Sequence, residues 1–109
     1  MASTKDYLTF ILDQLSELEH VRSRAMMGEY LLYYRDKLFG GVYDDRLLVK
    51  DLPAARALMP DAPLEEPYPG AKPMLLVEQV DERELLCALV RAMEPELSAP
   101  KPKRGRAKP

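Results

Sequence analysis

The chain has 109 residues and a hydrophobic fraction of 47%, which suits one domain around one core and is too apolar for a disordered chain. Its formal charge of −2 conceals an asymmetry: Lys101, Lys103, Arg104, Arg106 and Lys108 close the chain, and the eleven other basic residues face eighteen acidic ones over residues 1–100, a balance of −7. No apolar run reaches bilayer length, and no apolar stretch follows a basic start, so neither a membrane span nor a signal peptide is expected.

Residues 4–19 read as an amphipathic helix, with Leu8, Ile11, Leu12, Leu15 and Leu18 at three- and four-residue spacing. Ser3 is placed to cap it and Asp6 falls in its acidic first turn. His20 follows, where an imidazole can complement a helix C-terminus; with no second histidine in the chain, a metal role has no support. Residues 21–27 alternate as a half-exposed strand, and Met26-Met27 is read as adaptable core filling.

Residues 26–50 form the densest apolar stretch. Three strand-length runs are separated by two turn-length polar pairs, Asp36-Lys37 and Asp44-Asp45. Tyr30, Leu32 and Tyr34 alternate with Leu31 and Tyr33, so both faces of that strand are apolar and at least one should be covered by helices. In the third run Leu47 and Val49 point one way, and Arg46, Leu48 and Lys50 the other. Gly40-Gly41 inside a strand predicts a bulge or a close approach, a helix being the expected neighbour. Phe39 and Leu47 should be buried.

Beyond Lys50, Asp51 is placed to cap a short helix with Pro53 in its first turn, and Pro60 stops it. Residues 60–73 carry five prolines and are excluded from helix and central strand. They read as a stiff crossover whose Leu64 and Tyr68 pack on the body, or as a recognition edge. Met74-Leu75-Leu76-Val77 is a strand buried on both faces. Asp81 and Glu84 have capping-box spacing ahead of a last helix whose core stripe is Leu85, Leu86, Leu89, Val90 and Met93. Pro95 bends or ends it, and Leu97 adds a final contact. The expected fold is α+β, an antiparallel meander sheet with N- and C-terminal helices packed on it. Residues 1–98 are assigned to this domain and 99–109 to a disordered basic tail.

No motif for catalysis, cofactor or metal stands out: there is no phosphate-cradling glycine loop, no Cys/His spacing and no nucleophile elbow. Cys87, the single cysteine, falls on a helical apolar stripe and reads as core, in keeping with a reducing cytoplasm. Asp44-Asp45 reads as turn chemistry, Glu65-Glu66 as solvated charge, and Glu29 as an acceptor for Arg22 or Arg24 across a hairpin.

Met26-Met27-Gly28-Glu29-Tyr30, Leu32-Tyr33, Lys37-Leu38-Phe39-Gly40, Asp44-Asp45-Arg46-Leu47-Leu48-Val49-Lys50 and Pro69-Gly70-Ala71-Lys72-Pro73-Met74 occur in an order and spacing that resembles the N-terminal domain of the TfoX/Sxy competence-regulator family. The resemblance runs over residues 3–97. It implies a curved antiparallel sheet similar to secretion-chaperone-like domains, in a bacterial cytoplasmic protein tied to transcriptional control of DNA uptake. Longer members of the family carry a second, helical domain where this chain has a short basic tail. The family offers no catalytic residues to carry over.

The expected function is therefore that of a small, non-enzymatic regulator or adaptor that binds another protein, a transcription factor being one candidate. Tyr34, Tyr43, Glu65 and Tyr68 are the expected partner-binding residues, on the sheet edge and the proline-rich loop. The alternative is weak, sequence-independent phosphate contact through Lys101, Lys103, Arg104, Arg106 and Lys108. The chain is expected to act as a monomer or homodimer.

Overall fold

Three tight turns set up the sheet. In the computed structural model, which describes residues 4–97, Met27-Gly28, Arg35-Asp36 and Asp44-Asp45 all have positive φ, between 52° and 84°. Paired left-handed residues give a two-residue hairpin the twist its flanking strands need. They connect β1 (Val21–Met26), β2 (Glu29–Tyr34), β3 (Lys37–Tyr43) and β4 (Arg46–Val49). The remaining elements are α1 (Lys5–Gln14), α2 (Pro53–Leu58), β5 (Leu64–Glu65), β6 (Met74–Val77) and α3 (Arg83–Met93), with a 3-10 turn at Glu94–Glu96. The strands form one antiparallel sheet in the order β1-β2-β3-β4-β6-β5. The α+β meander expected from the sequence is the observed fold.

The strand register assigns the two faces. Leu32, Gly40, Val49 and Leu75 lie in one cross-strand row, and Val42, Leu47 and Val77 in another. Leu32, Val42, Leu47, Val49, Leu75 and Val77 are at most 2% exposed and belong to one core with Leu8 and Ile11 of α1 and Leu86, Leu89, Val90 and Met93 of α3. Helices therefore cover this face. Leu31, Tyr33, Tyr43, Leu48 and Leu76 alternate onto the other, outer face.

Phe39 is the extra residue of a bulge: Leu32 pairs with Gly40 and Tyr33 with Leu38, leaving Phe39 unmatched, and it is 1% exposed within the core. The two glycines beside it answer to strands rather than to the helix expected. A Cβ on Gly40 would run into the carbonyl of Leu48 and lie 2.9 Å from Val49 Cα, and one on Gly41 would lie 2.8 Å from the Tyr43 ring. The bulge draws β4 in close, and Tyr43 folds back over Gly41.

Other local expectations are corrected. α1 ends at Gln14, not Glu19; Leu15 and Leu18 stay buried through a looser turn, which the same apolar spacing serves equally well. Thr4 is its N-cap, accepting from Tyr7 N at 3.2 Å, and Ser3 lies outside the described residues. His20 sits beyond the helix end at φ 67° and does not cap it. The first turn is Arg35-Asp36 rather than Asp36-Lys37, since Lys37 already pairs with Tyr34. Met27 occupies a hairpin tip and is 97% exposed, so Met26-Met27 is not core. β1 is exposed beyond Val21.

Three caps also differ from expectation. Leu52, not Asp51, precedes α2; Asp51 pairs with Arg56 instead, and Glu96 accepts from Ala54 N at 3.0 Å. Glu82, not Asp81, precedes α3 and makes no side-chain cap bond. Arg83 reaches back to Asp13 at 3.2 Å, joining α3 to α1. Leu97 is buried as expected, and Met74 and Leu76 are half-buried, so β6 is fully covered only on the helix side.

Candidate functional site

Among the described residues, the helices pack on one face of the sheet and none covers the outer one. Its cover is the proline-rich segment, which follows α2, pairs briefly as β5 at the sheet edge and returns over β3 and β4. Prolines keep this segment extended and remove donors that would otherwise need partners. Arg46 fastens it: its guanidinium bonds Glu65 Oε1, Glu66 O at 3.4 Å and its own neighbour's carbonyl, Tyr43 O, at 3.2 Å. Glu65 is thus an ion-pair partner and not the solvated charge expected.

Between the segment and the sheet lies an open groove of about 540 Å³, floored by Leu38, Tyr43 and Met74 and walled by Pro67, Tyr68 and Pro73. Lys50 and Lys72 stand at its rim, and among the described residues neither takes part in an ion pair. Asp51, also at the rim, is held by Arg56, which keeps its carboxyl below the usual range. Pro67 and Tyr68 separate this groove from a recess of about 300 Å³ lined by Glu29, Asp44, Arg46 and Glu66. Tyr43 is 6% exposed; burial pushes its phenol up, and Tyr68, Glu29 and Tyr33 add to the shift. Tyr68 is 57% exposed, so its ring stands at the groove mouth instead of packing on the body, and Leu64 is likewise exposed.

Of the four expected partner-binding residues, Tyr68 stands exposed at the groove, Tyr43 is buried beneath it, and Glu65 is tied to Arg46 beside it. Tyr34 lies elsewhere. Its alternation with Tyr33 turns it to the helix-covered face, where it is 7% exposed and Arg35 lies 5.6 Å from its ring. Lys101, Lys103, Arg104, Arg106 and Lys108 lie outside the described residues. Sequence reasoning missed Arg46, Lys50 and Lys72 as parts of the site; the outward phase of Arg46 and Lys50 on β4 was the available signal.

The arrangement is suited to binding: it offers apolar surface, two ammonium groups and phenols. Cys87 is buried on α3, 3.6 Å from Gln14 O, and burial pushes its thiol up, away from nucleophilic use. Glu29 accepts from Asp44 N at 3.0 Å and Arg22 pairs with Asp36 at 2.6 Å, so the cross-hairpin pairing expected for Glu29 and Arg22 is replaced by contacts to the turns. Among the described residues no group of three or more His, Cys, Asp or Glu is placed to hold a metal, and no helix is long and apolar enough to cross a membrane.

A relative from Spirochaeta aurantia, called an uncharacterized 12.7 kDa protein in the trpE 5′ region, is 35% identical over 109 residues, covering 99% of this chain and 95% of its own. No solved structure matches. The TfoX N-terminal domain family matches residues 13–92, from the end of α1 through α3, and the chain belongs to that family.

Proposed function

We propose that the protein is a cytoplasmic, non-enzymatic regulator that acts in transcriptional control by binding another protein through its outer sheet face. Membership of a family named for a competence regulator supports the regulatory part of this reading. The observation that carries the binding part is the groove itself, apolar inside, cationic at the rim and marked by the exposed ring of Tyr68. Aromatic side chains at the mouth of an apolar groove are typical anchors for a partner.

Affinity capture from the native organism tests the reading, with intact chain and Tyr68→Ala as baits. A partner held by the intact chain and lost from the variant is the expected result. Equal recovery of every captured protein by both baits overturns it.

A second reading rests on the five basic residues among 101–109. If all five neutralise phosphates on duplex DNA, the log–log salt slope reaches about −4.5 at most, and the acidic body holds the contact weak. DNA retention that survives removal of residues 99–109 contradicts it.

A further inference from the structure

The first strand of the sheet presents an unused edge. β1 pairs with β2 along an unbroken register from Val21↔Tyr34 to Met26↔Glu29, and among the described residues no strand lies on its other side. It spans six residues with no proline and no bulge, exposed from Arg22 to Met26. The opposite edge is blunted: β5 has two residues, followed closely by the buried Pro67.

The phase of the edge is fixed by a bond from Arg35 N to His20 O at 3.0 Å, which makes His20↔Arg35 a hydrogen-bonded pair. Antiparallel ladders alternate, so Arg22, Arg24 and Met26 direct their backbone groups at β2. Val21, Ser23 and Ala25 direct theirs outward. Their side chains, on the helix side of the sheet, are short. The side chains that alternate with them, Arg22 and Arg24, stand on the outer face. Arg22 pairs with the exposed Asp36, and among the described residues Arg24 has no ion-pair partner. Glu29, its diagonal neighbour, accepts from Asp44 N. Arg35 adds positive charge where the strand begins.

We propose that the β1 edge accepts an extended acidic segment of a partner protein as a further antiparallel strand. The partner's backbone bonds to Val21, Ser23 and Ala25, and its alternate carboxylates lie opposite Arg22 and Arg24. Those arginines occupy the non-hydrogen-bonded positions of the new ladder, where facing side chains come closest. The same charges argue against a second copy of this chain: two-fold registers that overlap most of β1 set Arg22 against Arg24, or one of them against itself. This proposal specifies the partner chemistry of the protein-binding function and rests on that reading.

The test uses the full-length protein and a labelled, end-blocked peptide of alternating Glu and Thr, about seven residues long to match a strand, read by fluorescence anisotropy. Saturable binding is expected, about tenfold weaker for Arg24→Glu and absent for a Lys/Thr peptide. Ser23→Pro removes only an outward N–H, so β1–β2 pairing should persist by circular dichroism while binding is lost. The proposal is overturned if the peptide does not bind, if Ser23→Pro or Arg24→Glu binds it as the parent does, if single-stranded DNA competes as well as the peptide, or if sedimentation shows a dimer that Ser23→Pro dissolves. Failure here with Tyr68-dependent capture intact rejects the edge and leaves the groove standing; loss of both rejects the binding function itself.

Discussion

The two faces of the sheet are finished by different materials. On one, helices α1 and α3 close over Leu32, Val42, Leu47, Val49, Leu75 and Val77. On the other, the cover is a proline-rich segment tied down by Arg46, and only Leu48 and Tyr43 among the larger side chains there are fully buried. Leu31, Tyr33, Leu38, Met74 and Leu76 stay half-exposed. Helices can shed water from a broad surface because their own backbone bonds are internal; an extended segment cannot, and leaves grooves. Stability therefore resides on the first face, and the proposed recognition falls to the second.

The largest expected effect is at the bulge on the covered face. Phe39→Ala should cost roughly 3–5 kcal/mol, because the ring is fully enclosed and the core cannot collapse around the bulge. A loss below about 1 kcal/mol in urea denaturation contradicts the placement. Gly40→Ala comes next. Its Cβ meets backbone of β4, which cannot rotate away, so about 1–3 kcal/mol should be lost. A variant as stable as the parent would show that β3 and β4 are further apart than described.

Substitutions on the outer face should be milder. Arg46→Met removes the fastening of residues 65–66 while leaving most of the side chain's apolar cover. About 1 kcal/mol or less should be lost for this half-exposed pair, with faster amide exchange confined to the proline-rich segment. Faster exchange spread through β2 and β3 would mean that the segment supports the sheet itself.

The smallest effect is a pH dependence. The bond from Lys37 at 2.6 Å holds the Glu94 carboxyl below its ordinary value of 4.5. A lowered folded-state pKa stabilises the fold above the unfolded value, and that contribution is lost as pH falls through the folded one. Acid denaturation of Lys37→Met should accordingly show less dependence on pH below about 4.5 than the parent. Identical acid profiles contradict the coupling.

The covered face was legible because burial imposes alternation: Leu47 against Leu48, and Tyr30, Leu32 and Tyr34 against Leu31 and Tyr33, all follow the pattern in the sequence. Cys87 was legible from the helical spacing of the apolar stripe it falls on, and Phe39 from its place in an apolar run. The ends of elements were not. Asp51 and Asp81 have capping chemistry, yet Asp51 is taken by Arg56 five residues on, and the helix after Asp81 begins at Arg83. Met27 misled because methionine signals flexibility of packing, whereas its backbone here adopts a left-handed turn at a hairpin tip. At the candidate site, aromatic and acidic residues in a proline-rich loop pointed to Tyr68 and Glu65, which the structure places on the segment over the outer face. Of the rim lysines, Lys50 had only its outward phase to signal it, and nothing local distinguishes Lys72 from solvated charge.

The contrast between faces is tested most directly at Tyr68, measured twice on one variant. Tyr68→Ala should unfold within about 0.5 kcal/mol of the parent, as a surface substitution does, and should fail to retain the partner captured by the intact chain. Capture undiminished in a stably folded Tyr68→Ala protein would contradict the assignment of recognition to the outer face.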